Sequence, residues 1–377
     1  MIDIEKVLCA LVACDGSDLH LKVGSVPLAR VDGELGPLTS DDWPVLEPAD
    51  TVACAKALLA GTERMTEFER HQELDISYEI VGVARFRINI FRQRGNISLV
   101  ARAIPHRIRS VDELGLPSVV TELAEEPRGI ILVTGSTGSG KSTTLAAIID
   151  HINSTRAAHI VTIEDPIEFV HRDLRSMISQ REVGSDTHSF KDALRRVLRQ
   201  DPDVILIGEM RDEATVRTAL AAAETGHLVL STLHTLDAPE SINRILDFFP
   251  AAQHEQARAM LAATLKGIIS QRLVPRADGS GRTAIAEVLT MTGRVRDAIR
   301  DPTHSEAGLA QIIADGSYYG MQTFDQALLA HVRSGRVKVE DALEAATSPH
   351  DFKLMLEAEG PAAVPLTPDP NVIALAS

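Results

Sequence analysis

A small α+β domain followed by a P-loop α/β domain with a parallel sheet is the fold class that the sequence predicts. Three observations predict it. The 377 residues exceed what a single core usually holds. From about residue 118 onward, apolar runs alternate with helix-compatible stretches, which is the pattern of parallel strands joined by crossover helices. Between one such run, Ile130–Thr134, and the helix-compatible Thr143–Ile149 stands Gly135-Ser136-Thr137-Gly138-Ser139-Gly140-Lys141-Ser142, which satisfies G-x-x-x-x-G-K-[S/T] in its strand–loop–helix context.

Residues 1–104 read as the α+β domain. Alternation in Leu19–Val23 and the short run Leu28–Val31 predict strands, with turns at Gly24-Ser25 and Asp32-Gly33. Residues 51–60 predict a helix stopped by Gly61, and Ala84–Phe91 with Ile97–Ala103 a hairpin around Gly95-Asn96. Residues 105–117, bounded by Pro105 and Pro117, predict a linker.

The second domain spans 118–357. Its predicted strands are Ile130–Thr134, His159–Ile163, Val204–Ile207 and Leu228–Thr232. Ser189 caps a helix with Asp192 three residues on, Phe190, Ala193, Leu194, Val197 and Leu198 form its apolar stripe, and Asp201-Pro202 stops it. The segment after 240 reads helical to about 357. Residues 358–377, with four prolines and no periodicity, predict a disordered tail.

Bulk properties narrow the function. A net charge of −15 argues against a sequence-independent grip on nucleic acid. Cys9, Cys14 and Cys54 form no C-x-x-C pair, against structural zinc or a disulfide framework. No apolar run has membrane-spanning length and the N-terminus has no signal-peptide pattern, so the expectation is a soluble cytosolic protein without membrane insertion.

The chemistry concentrates beyond the carboxyl ends of the predicted strands, where open α/β sheets bind ligands. Glycines 135, 138 and 140 let successive amides turn toward one anion, and the helix N-terminus and Lys141 add positive charge. Gly135 through Thr143, including Ser136, Thr137 and Ser139, therefore predict a triphosphate cradle, with Ser142 as an Mg²⁺ ligand. After Val204–Ile207 come Gly208 and Glu209. Glycine stands where most P-loop enzymes carry a metal-shell aspartate, and Glu209 is the first carboxylate, suited to polarise an attacking water. Glu164, Asp165 and Glu168 follow the second strand. They can replace the missing metal-shell carboxylate through water, although Asp165-Pro166 is also a common turn opener. His227 and His234 flank Leu228–Thr232. Seven extended residues span about 23 Å, so only His234 lies near the phosphates. Arg85 and Arg87 share one strand face opposite Phe86, Ile88 and Ile90, and Arg102 sits on the partner strand. Two readings stand for these arginines: fingers reaching a neighbouring subunit's triphosphate, or a solvated face with acidic partners such as Glu73 or Asp75.

Several motifs in order, from about residue 15 to 350, resemble the type IV pilus retraction ATPases (PilT-like) of the secretion-ATPase superfamily. Gly16-Ser17-Asp18-Leu19-His20-Leu21 with Val31-Asp32-Gly33 resembles the opening of that family's PAS-like N-terminal domain. The P-loop follows, with Ser136 where many members have proline. Thr162 to Phe169 resembles the family's Asp box. Asp201-Pro202-Asp203 through Gly208-Glu209-Met210-Arg211-Asp212 resembles its Walker B segment, glycine included. Thr225-Gly226-His227 through His234-Thr235 resembles its His box, and Gly320-Met321-Gln322-Thr323-Phe324-Asp325 the retraction branch. The C-terminal signature of that branch is only partly kept, as Arg294 to Asp301.

The resemblance implies a RecA-like ATPase domain behind a smaller PAS-like domain, in a cytoplasmic homohexamer docked peripherally on an inner-membrane pilus or secretion platform. It implies ATP and Mg²⁺ as ligands, Glu209 as activator of water, and Glu164 (through water) and Glu168 around the metal. His234 would sense the γ-phosphate, and Arg87 and Arg102 would complete the site in trans. A pilus-assembly or type II/IV secretion ATPase of the same superfamily is the alternative, a nucleic-acid translocase a more distant one.

Overall fold

The computed structural model describes residues 2–31, 33–38, 42–104, 107–301 and 306–358. Asp32 of the predicted turn, Pro105 and His106 of the predicted linker and the tail from 359 lie outside the described residues. The chain divides into two compact units, one of residues 1–107 with 168–171, the other of residues 108–167 with 172–377.

The first unit is built on six strands: β1 (Asp18–Leu21), β2 (Leu28–Val31), β3 (Glu34–Pro37), β4 (Glu73–Ile80), β5 (Ala84–Gln93) and β6 (Asn96–Ile104). They pair antiparallel in the order β3-β2-β1-β6-β5-β4. Period-two alternation decides the faces. Phe86, Ile88 and Ile90 are fully buried, in one cluster with Val7, Leu8, Leu11 and Phe68 from the helices Ile4–Ala13 and Thr62–His71. Arg87 points to solvent on the other face. The β5–β6 turn falls on Arg94-Gly95, one residue before the predicted centre. Both have positive φ, 51° and 82°, and Gln93 pairs with Asn96, as a two-residue hairpin needs to match strand twist.

The second unit holds β7 (Gly129–Thr134), β8 (His159–Glu164), β9 (Met177–Glu182), β10 (Val204–Ile207), β11 (Leu228–Leu233), β12 (Leu265–Pro275) and β13 (Arg282–Thr290). Their order is β13-β12-β7-β11-β10-β8-β9. All neighbours run parallel except β12–β13. The four predicted strands reappear within a residue at each end. The continuous helical reading after 240 is corrected, because the β12–β13 hairpin interrupts it. β-branched Ile268, Ile269, Val274, Ile285 and Val288 favour the pleat, and Gly279 and Gly281, with φ of 74° and 92°, make the turn between the strands.

Helices cover both faces, so the central strands read as uninterrupted apolar runs. All six residues of β7 are buried. Ile131 and Val133 pack with Ile148 and Ile152 of the helix Lys141–Thr155. Ile130 and Leu132 pack on the other face with residues such as Val216 and Leu220 of the helix Glu213–Glu224. Truncating one such core residue to alanine costs about 2–5 kcal/mol. Val111 and Leu116, within the stretch read as a linker, are buried in the first of these clusters. Among the described residues no helix is long and apolar enough to cross a membrane.

Candidate active site

β7, β11, β10 and β8 are consecutive neighbours and parallel, so their carboxyl ends share one edge. In spatial order that edge carries the P-loop, His234, Glu209 and Glu164. With strands spaced about 4.8 Å, β7 and β10 end about 10 Å apart, a distance that a triphosphate and its attacking water can bridge.

The loop geometry comes from glycine. Gly135, Gly138 and Gly140 have φ of 140°, 78° and 94°, a region L side chains rarely adopt. Gly135 also has no room for one: an added Cβ would lie 2.5 Å from the Gln271 carbonyl oxygen and 2.6 Å from Ser139 Oγ. The helix that follows starts at Lys141, whose Nζ donates to the carbonyls of Gly135 (2.7 Å) and Ser136 (2.9 Å). Ser136, Thr137 and Gly138 are exposed, while Ser142 and Thr143 are half-buried in the first helical turn. The donor set is therefore backbone amides at a helix start, one ammonium and one hydroxyl, which suits a phosphate chain with a hard, oxygen-seeking cation. No cluster of three or more His, Cys, Asp or Glu able to hold a metal exists among the described residues.

Gly208 explains the absent aspartate. A Cβ there would sit 3.3 Å from the Ile163 carbonyl oxygen and 3.4 Å from Glu164 Cα, and its own N–H already donates to that carbonyl at 2.8 Å. A side chain would be tight where these strand ends meet, and the next residue supplies the carboxylate. Glu209 is sheltered, its side chain 13% exposed, and it is gripped from two sides. Arg211 pairs with Oε1, and His234 Nε2 lies 3.3 Å from Oε2. A carboxylate oxygen only accepts, so this contact uses the histidine tautomer protonated at Nε2. Glu164 is half-buried, and its Oε1 accepts from Thr162 Oγ1 (2.6 Å) and Gln180 Nε2 (3.2 Å). His227, at the amino end of β11, contacts the Ala222 carbonyl through Nδ1 at 2.9 Å, a structural fastening far from the loop.

Three predicted residues belong to the other unit: Glu168, Arg87 and Arg102. Arg87 and Arg102 are directly paired in register, but their surroundings differ. Arg102 Nε donates to Asp18 Oδ1 at 2.8 Å, with Arg30 4.0 Å from the other oxygen. Burial pushes the Asp18 carboxyl up, yet hydrogen bonds from Ser17 and Arg102 outweigh that and hold it below its ordinary range. Arg87 is exposed and has no hydrogen-bond or ion-pair partner among the described residues.

Two residues of the edge escaped sequence reasoning. Arg211 was legible in principle, because positions i and i+2 of an extended segment share a face. Gln271 carried no motif. It is buried in β12, with Nε2 donating to Thr144 Oγ1 at 2.9 Å and bracing the P-loop helix from beneath.

Fold and site together define a P-loop ATPase. The chain belongs to the type II/IV secretion system protein family, whose profile matches residues 72–344. It is 44% identical over 351 residues to the type IV pilus retraction ATPase PilT of Pseudomonas aeruginosa strain PAO1, covering 93% of this chain and all of that one. It is 45% identical to a twitching motility protein of Neisseria gonorrhoeae, over 84% of this chain and 83% of that protein. A crystal structure of the pilus retraction motor PilT with bound ADP superposes with a TM-score of 0.85 at 44% identity, covering 94% of this chain and 100% of the other.

Proposed function

We propose that the protein is a hexameric motor ATPase that hydrolyses ATP to drive type IV pilus retraction. The observation that carries this reading is likeness to a retraction ATPase along that relative's entire length, joined to one sheet edge that gathers a phosphate cradle, a sheltered glutamate and a histidine. The protein works at the cytoplasmic face of the inner membrane, docked on a pilus platform.

The chain's own residues divide the work. Amides of residues 138–143 and Lys141 bind the phosphates, and an anionic oxygen displaces the carbonyls of Gly135 and Ser136 from Nζ because charge-assisted hydrogen bonds are about twice as strong as neutral ones. Ser142 would hold Mg²⁺, with Glu164 reaching it through water, and the ion would supply charge neutralisation on the phosphates. Glu209 orients the attacking water and takes its proton. Arg211 and His234 fix the direction in which that carboxylate faces, and His234 reads the terminal phosphate. Arg87 and Arg102 act on the triphosphate of a neighbouring subunit, Arg87 with the freer guanidinium.

The test is Glu209→Gln beside Lys141→Ala. Glu209→Gln should keep nucleotide binding and lose phosphate release by about 10²–10⁴-fold; Lys141→Ala should lose both. Retained turnover in Glu209→Gln removes the assigned base. In cells, deletion should give excess surface pili without twitching motility, whereas bald cells would assign the protein to assembly.

A further inference from the structure

We propose that Glu287 is a positioning residue for the hydrolytic site, tying the strand end that carries the P-loop to the loop that carries His234. The inference rests on the ATPase reading above and adds a residue to it. In sheet register Thr134, the last residue before Gly135, lies beside Ser270, and Ser270 lies directly opposite Glu287. Register partners share a face, so the three side chains form one row across β7, β12 and β13. All are buried, at 0%, 0% and 8% exposure. Thr134 Oγ1 donates to Ser270 Oγ at 2.9 Å. At the other end of the row Glu287 Oε1 accepts from the Ala238 N–H at 2.8 Å.

Ala238 begins the helix Ala238–Asp247, four residues after His234, and the intervening loop is stapled to that helix. Leu236 N–H donates to Glu240 (2.7 Å), and Thr235 Oγ1 lies 2.6 Å from Ser241 Oγ. Whatever moves Ala238 therefore moves the segment that aims His234 at Glu209. A glutamate is an expensive choice for a mere helix anchor in this place, because a buried carboxylate loses its hydration. What it adds over a neutral acceptor is titration. Burial pushes the Glu287 carboxyl up to about 7, opposed by the Ala238 N–H and Arg272 and reinforced by Asp237 and Asp325. Arg272, Asp237 and Asp325 are the charged groups whose fields act on it. Arg272 is also engaged by the Ala345 carbonyl (2.8 Å) and the Phe324 ring (3.9 Å), and Asp325 accepts from the Thr347 and Ser348 amides. Ionised Glu287 grips the helix N-terminus more strongly than its acid form does, so the His234 loop is fixed most firmly above neutrality.

The test compares kcat and KM for ATP of wild type and Glu287→Gln from pH 5.5 to 8.5. Glutamine keeps the size and an acceptor oxygen but cannot titrate. Wild-type kcat should contain a step of at least threefold near pH 7, rising with pH, that Glu287→Gln lacks, while KM for ATP changes less than twofold because the cradle is untouched. Superimposable kcat profiles overturn the proposal and leave Glu287 a structural anchor. If Glu287→Gln does not fold, Glu287→Asp, which titrates but withdraws the carboxylate by one methylene, must move the step by at least half a pH unit; an unmoved step overturns it equally. Absence of phosphate release from wild type at every pH would instead overturn the ATPase reading.

Discussion

At the edge of the seven-stranded sheet Lys141 donates to carbonyls of its own loop, Gly135 and Ser136. In the six-stranded sheet Arg102 donates to a carboxylate on another strand, Asp18. The first cation is placed by backbone geometry, the second by a side-chain pair. A backbone-built site is intolerant of any added Cβ and nearly indifferent to salt. A pair with one exposed partner tolerates steric change and weakens as ionic strength rises. The difference locates where each unit is fragile, and four substitutions probe it.

The largest effect is expected from Gly135→Val. The valine must adopt φ near 140° and force its Cβ against the Gln271 carbonyl, strain and overlap of about 1–3 kcal/mol each. Nucleotide-dependent thermal stabilisation should vanish and the melting temperature of the ligand-free protein should fall. If ATP still raises the melting temperature of this variant, the cradle is not built by backbone geometry.

Arg87→Ala comes next and sharpens the contrast inside one register pair. Arg87 is exposed and without a partner among the described residues, so its loss should leave stability unchanged while lowering turnover by about 10³-fold or more, the range of an arginine finger. Mixing Arg87→Ala with Lys141→Ala subunits should recover activity above simple dilution, since each supplies what the other lacks across an interface. Activity that only tracks dilution removes the trans role.

Glu287 represents a third way of holding charge, a buried carboxylate whose hydrogen-bond partner, among the described residues, is a backbone amide. Its pKa is raised in the folded protein, from an ordinary 4.5 to about 7. The folded state therefore binds this proton more tightly than the unfolded chain. The associated stability is fully present below pH 4.5 and is lost as pH rises through 7, on the order of 3 kcal/mol at most. Urea midpoints of wild type minus those of Glu287→Gln should fall between pH 5 and pH 8; a difference flat in pH contradicts the burial account.

These regions were unequally legible in the sequence. β7, β8, β10 and β11 announced themselves because strands covered on both faces are short apolar runs, and a motif residue stands just past each. β12 and β13 were hidden. Lys266, Gly267, Gln271 and Arg272 break the apolar run of β12, and pairing with β7 and β13, not local periodicity, makes it a strand. Glu164, Glu209 and His234 were legible from position at strand ends. Glu287 and Gln271 were not, since their roles arise from partners 49 and 127 residues away. Arg102 was legible as a polar-face residue but its partner was not. Glu73 and Asp75 were the acidic neighbours in view, whereas register across β1 brings Asp18.

The smallest effect belongs to that pair. Arg102→Ala leaves Asp18, only 10% exposed, with Arg30 at 4.0 Å as its remaining cation. Because Arg102 itself is 70% exposed, water screens the interaction, and the loss should be about 1 kcal/mol. The wild-type advantage over Arg102→Ala should shrink between 0.05 and about 0.5 M salt, as the screening length drops well below 10 Å. The Gly135→Val deficit should not move over the same range, since no screening relieves a steric overlap. If both deficits respond to salt alike, the division between a backbone-placed and a pair-placed cation fails; if only Arg102→Ala responds, Asp18 is the counter-charge that sets Arg102 apart from Arg87.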